Sequence, residues 1–85
     1  MSKHEENRRY RAKIRGVVNE ARTVPCKDCG NTYPYYVMEF DHLGDKIATV
    51  GALAGSKSVK VVLAEIAKCD VVCANCHKIR TFNRR

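Results

Sequence analysis

Eighty-five residues make one small domain, near the size at which an apolar core alone barely suffices, so a chemical staple is expected. Five cysteines, an odd number, with no signal-peptide pattern and no apolar run long enough to span a bilayer, argue against a secreted disulfide framework and against a membrane protein. The expected setting is reducing, intracellular and cytoplasmic, and the formal net charge of +7 suits either a polyanionic partner, nucleic acid first, or plain solubility.

Ser2-Lys3-His4-Glu5 has the Ser-x-x-Glu form of a capping box, which predicts a helix from Lys3 to about Ala21. Its apolar stripe is narrow: Tyr10, Ile14, Val17, Val18 and Ala21. Arg8, Arg11 and Arg15 share another face by their spacing of three and four. Residues 1–23 carry seven basic side chains against three acids and are read as an N-terminal basic helix preceding a domain over 24–85. Pro25 stops the helical run, and Cys26-Lys27-Asp28-Cys29-Gly30 reads as a metal knuckle, the glycine permitting the turn that aims amides at the sulfurs. Alternation over Tyr35–Asp41 predicts a strand, with Tyr36, Met38 and Phe40 on one face. A turn over Leu43-Gly44-Asp45-Lys46 and a second strand from Ile47 to Val50 would complete a hairpin with Asp41 and His42 at its tip end. Gly51, Gly55 and Ser56 suggest a loop over 51–57. Ser58 then caps a short helix lined by Val59, Val62, Leu63, Ile66 and Ala67. A last helix runs from about Ala74 to Phe82. The final nine residues hold Lys78, Arg80, Arg84 and Arg85 and no acid.

Two Cys-x-x-Cys pairs, Cys26/Cys29 and Cys73/Cys76, are the strongest chemical signal. Four thiolates form a closed tetrahedral zinc site, structural because no position is left for water. The 43 residues between the pairs imply that the ion clasps two distant segments. Cys69 could compete as a ligand, but a small buried hydrophobe is the better reading. Tyr33, Tyr35 and Tyr36 could stack on bases, although packing is the commoner use of such residues. An aspartate and two histidines remain outside the quartet: Asp41, His42 and His77. Asp41 is a hard oxygen ligand suited to Mg²⁺ or a similar ion, and the imidazole beside it can take a proton from water near neutral pH. His77 falls in the first turn of the helix pinned by Cys73 and Cys76, so the shared zinc should carry it toward Asp41 and His42.

The series Cys26-x-x-Cys29, Phe40-Asp41-His42 and Cys73-Ala74-Asn75-Cys76-His77-Lys78 resembles the HNH endonucleases of the ββα-metal group. It is most similar to small phage-type HNH proteins with a four-cysteine zinc site, related to phage recombination endonuclease VII. The resemblance covers about residues 24–82. It implies an α+β fold: a small zinc-stapled ββα-metal (HNH, or His-Me finger) domain, here with an added N-terminal basic helix. The implied activity is hydrolysis of DNA phosphodiester bonds, by nicking or double-strand cleavage, in a bacterial or phage-infected cell. His42 would be the general base, and Asp41 and His77 would hold one catalytic Mg²⁺ or Mn²⁺. The products would carry 5′-phosphate and 3′-hydroxyl ends. One departure stands out: Lys68 and Cys69 occupy the region of the family's middle asparagine, and Asn75, inside the knuckle, would take a supporting role or merely cap the helix. Arg8, Arg11, Arg15, Lys78, Arg80, Arg84 and Arg85 are the expected contacts to double-stranded, nicked or branched DNA. So small a surface favours low specificity unless the protein forms a homodimer or joins a larger nucleoprotein complex. The alternative is a non-catalytic zinc-finger module that binds nucleic acid.

Overall fold

The computed structural model describes residues 3–44 and 46–84. Ser2 of the capping box, Asp45 of the proposed turn and Arg85 therefore lie outside the described residues. Among the described residues seven elements follow one another. They are α1 (Lys3–Ala21), a 3-10 turn (Tyr35–Val37), β1 (Met38–His42), α2 (Val50–Ser56), α3 (Val59–Ile66), β2 (Cys69–Cys73) and α4 (Ala74–Asn83). The class is α+β: a two-stranded antiparallel sheet with four helices. Among the described residues no helix is long and apolar enough to cross a membrane.

The narrow stripe of α1 is enough to dock it. Ile14 and Val18, one turn apart, are buried with Val50 and Leu53 of α2 and Val62 of α3, and these five residues form one small core. The basic helix thus shares its core with the rest of the chain. Its C-terminal end is tied down through Arg22, whose guanidinium stacks 5.5 Å from the Tyr35 ring and 6.0 Å from that of Phe40.

The hairpin differs from the expected one. β1 starts at Met38, three residues later than the alternation suggested, and its partner is not the segment Ile47–Val50 but β2, with Met38 opposite Cys73 and His42 opposite Cys69. The β-branched pair Val71-Val72 favours extended backbone. The cysteine cluster fixes the pairing: the Cys73 amide donates to Cys26 Sγ at 3.3 Å, and the Lys27 amide to the Val71 carbonyl at 3.0 Å. Leu43 N–H donates to the Lys68 carbonyl at 3.0 Å and closes the far end, so everything between them is an insertion into one hairpin.

That insertion is helical. Residues 51–57 are not a loop: Thr49 caps α2, its hydroxyl accepting from Ala52 N–H at 3.1 Å, and Val50 and Leu53 are driven into the core. Their burial outweighs the cost of about 1 kcal/mol for each helical glycine. Ile47, expected in a strand, is 75 % exposed. Ser58 caps α3 as expected, its hydroxyl accepting from Val61 N–H at 3.4 Å. The buried side of α3 is Val62 and Glu65, however, and Leu63 faces out.

Candidate metal and acid-base centre

The knuckle after Pro25 turns because Gly30 adopts φ +75°, letting its amide donate back to the Cys26 carbonyl at 2.8 Å. The second pair straddles the junction of β2 and α4: Cys73 caps the helix, its sulfur accepting from Cys76 N–H at 3.4 Å. The ligand atoms of Cys26, Cys29, Cys73 and Cys76 all lie within 4.8 Å of one another. A tetrahedral site with bonds of about 2.3 Å needs sulfurs about 3.8 Å apart, so the quartet could hold a metal ion such as zinc. Its electrostatics also call for a cation. Burial disfavours the Cys26 thiolate, but the amides of Cys29, Cys73 and Asp28 outweigh it and bring its pKa down to about 6. The hydrogen bond to Cys73, then burial, push the Cys76 thiol up to about 12. Four thiolates do not share this space without a positive charge among them. Cys69 stands apart, packed beside the small core with its thiol 3.5 Å from the Glu65 carbonyl, and burial raises its pKa.

Of Asp41, His42 and His77, one pair meets. Residues alternate along β1, so Glu39 and Asp41 face α4 while His42 turns toward α3. His77 lies between the two acids: its Nδ1 is 2.6 Å from Glu39 Oε1 and its Nε2 is 3.5 Å from Asp41 Oδ1. With Glu39 accepting from Nδ1–H, Nε2 is the ring atom that faces Asp41. An imidazole nitrogen and a carboxylate oxygen then converge, with a second carboxylate fixing the tautomer, as in many metal-ligating histidines.

His42 has a different partner. Its Nε2 is 2.9 Å from Oε2 of Glu65, which is 1 % exposed and also accepts from Ile47 N–H at 3.1 Å and from Lys68 Nζ at 2.9 Å. The Lys68 hydrogen bond, against the effect of burial, holds Glu65 below the usual carboxylate range, so it is ionised and can only accept. His42 therefore donates from Nε2–H to Glu65. The sequence reading missed both Glu39 and Glu65. Glu65 carried a signal, an acid on the buried side of α3 three residues after Val62.

Asp41 itself is buried and heavily engaged. Arg84 donates to both of its oxygens at 2.7 and 2.6 Å, and Arg80 Nη1 donates to Oδ2 at 2.8 Å. Arg80 also binds Asp28 at 2.5 and 2.6 Å and Asp70, directly across the sheet from Asp41, at 3.0 Å. These two arginines, expected on DNA, are turned inward onto carboxylates. Lys78 is exposed on α4, Asn75 is exposed in its first turn, and Arg8, Arg11 and Arg15 lie along α1.

The hydrogen bonds from Arg84, working against burial and joined by those from Arg80, hold the Asp41 carboxyl down at about 2. A depressed folded-state pKa gives stability that is present above the usual aspartate value near 4 and is lost as pH falls toward 2. Asp41→Asn should therefore cost on the order of 2 kcal/mol at neutral pH. In denaturant melts across a pH series with excess zinc and no other divalent ion, that difference should stay constant down to about pH 5 and shrink below about pH 4. A difference constant throughout would mean that Asp41 gains nothing from its charge.

The chain matches no family model, and no curated protein or solved structure matches it.

Proposed function

We propose that the protein is a metal-dependent HNH-class endonuclease that hydrolyses phosphodiester bonds in DNA, with zinc in the cysteine quartet as a structural staple. The observation that carries this reading is the meeting of Asp41 on β1 with His77 on α4, 3.5 Å apart, in a strand-strand-helix unit joined by the four cysteines. With the α2–α3 insertion set aside, β1, β2 and α4 supply the two strands and helix of a ββα unit, which supports the HNH reading. Asp41 Oδ1 and His77 Nε2 would hold one divalent ion, Mg²⁺ or Mn²⁺, with Glu39 keeping His77 in the ligating tautomer. When bound, such an ion supplies Lewis-acid stabilisation of charge at the scissile phosphate and the leaving 3′ oxygen. His42, held by Glu65, would take the proton of the attacking water on Nδ1. Arg84 is half exposed at the end of α4, and it is the group that would yield Asp41 Oδ1 to the ion.

The non-catalytic nucleic-acid-binding module is the second reading. It is favoured by the same arginines, which engage both oxygens of Asp41, and by the divergence of His42 from His77, toward Glu65. The two readings separate on His77→Ala, assayed with a labelled DNA duplex and Mg²⁺ or Mn²⁺. The nuclease reading expects cleavage to fall by at least about a hundredfold with duplex affinity retained, since only the ligation of the ion is removed. Cleavage by the wild type that His77→Ala leaves unchanged would remove His77 from the site.

A further inference from the structure

The basic side chains divide into two groups. Arg80 and Arg84 are consumed by carboxylates. Arg8, Arg11 and Arg15 have no hydrogen bond or ion pair among the described residues. The acids of α1 sit near its ends, at Glu5, Glu6 and Glu20, so its middle from 7 to 19 carries five basic residues and no acid. These arginines border a set of adjoining clefts. The largest, about 490 Å³, lies between α1 and the stretch from α2 to the start of α3, with Arg11 on one side and Lys57 on the other. Two more continue it past Arg8 and Arg15, and Arg11 borders all three. The floor is open because Gly51 and Gly55 stand on it, and a Cβ at either would meet nothing within 4 Å. Tyr10 holds the cleft's end, its hydroxyl accepting from Val59 N–H at 3.2 Å.

We infer that this groove between α1 and α2 seats the sugar-phosphate backbone of a nucleic-acid duplex, with Arg8, Arg11 and Arg15 as phosphate contacts and Lys57 on the opposite wall. From Arg8 to Arg15 the helix rises about 10 Å, so that with the reach of the side chains the three arginines can meet up to three successive phosphates of one strand. A concave surface with cations on both walls, whose arginines have no counter-ion among the described residues, is complementary to a linear polyanion. The identity of that polyanion rests on the nuclease reading; the location of its groove does not. The backbone thus lies against the N-terminal helix, outside the region of HNH resemblance, rather than along the arginines of α4.

The test is fluorescence anisotropy of a labelled DNA duplex with zinc-loaded protein, over a range of salt and without Mg²⁺ or Mn²⁺. The triple variant Arg8→Gln, Arg11→Gln, Arg15→Gln keeps helix-forming residues at exposed positions. It should lower the log–log salt slope by about 3, roughly 0.9 per lost phosphate contact. Gly55→Glu, which puts a negative charge into open space and raises helix propensity, should weaken binding without lowering the melting temperature. An unchanged slope in the triple variant overturns the inference, as does a wild type that binds anionic lipid vesicles but no duplex. Cleavage assays on the same preparations separate the two ideas. Slope loss without cleavage by the wild type leaves the groove standing and removes the nuclease, and cleavage with an unchanged slope does the reverse.

Discussion

With zinc in the cysteine quartet, as proposed, its removal by a strong chelator or by Cys73→Ser is expected to unfold the protein. The quartet is where the knuckle, the end of β2 and the start of α4 are joined, with the Arg80 ion pairs to Asp28 and Asp70 as a second link between the same segments. The second buried cluster is built on it: Met38 and Val72 pack against Cys26, Cys73 and Cys76. The remaining core is five buried residues shared by α1, α2 and α3. Zinc bound by such a set contributes about 10–16 kcal/mol, against net stabilities of about 5–15 kcal/mol for whole domains, so its loss exceeds what the rest can supply. Circular dichroism and amide dispersion in NMR spectra would follow the collapse, with metal analysis expected to give one ion per chain. An apoprotein that melts cooperatively at the holoprotein's temperature would show the quartet to be incidental.

Arg80→Ala is expected to be the most damaging substitution outside the cysteines. Antiparallel pairing sets Asp41 directly opposite Asp70, two like charges on one face of the sheet, and Asp28 approaches from the knuckle. Arg80 is the cation common to all three, and their hydrogen bonds, Asp28's first, raise its pKa further above the ordinary arginine value. Deleting it leaves Asp41 to Arg84 alone and takes the shared cation from Asp28 and Asp70, a loss of charge-assisted hydrogen bonds that costs about 2–3 kcal/mol. Arg84→Ala, at a half-exposed position on the same acid, should cost only about 1 kcal/mol or less. Arg80→Lys should not restore the loss, because one ammonium cannot reproduce the planar fork. Chemical denaturation of the zinc-loaded variants checks the order. Equal stabilities for Arg80→Ala and Arg84→Ala would mean that the three-acid network contributes nothing.

What could be read in advance followed from local chemistry. The bounds of α1, the cap at Ser58, the turn at Gly30 and the grouping of the quartet are all written within a few residues. The pairing of β1 was not legible, because its partner lies beyond an insertion and the nearer Ile47–Val50 offered the same apolar cue. α2 was hidden by its glycines, since only contact with Ile14 and Val18 makes Val50-Gly51-Ala52-Leu53 worth coiling. At the site, the spacing of His77 from the cysteines carried its approach to Asp41, but strand alternation carried His42 the other way, to Glu65. The partners of Arg80 could not be foreseen either. Its three acids come from the knuckle, β1 and β2, segments that only the folded chain brings together.

The most direct measurement is cleavage of supercoiled plasmid by zinc-loaded wild type and His42→Ala, purified side by side, with and without added Mg²⁺ or Mn²⁺. Omitting the ion is the proper control, since a chelator would also strip the quartet. The expected result is conversion to open-circular or linear DNA only by the wild type and only with the ion. Loss of the general base should lower the rate by about 10²–10⁴ while plasmid binding persists. Wild-type protein that binds plasmid and leaves it intact with every ion tried would contradict the nuclease and make this a binding module. Equal cutting by His42→Ala would contradict the role given to His42.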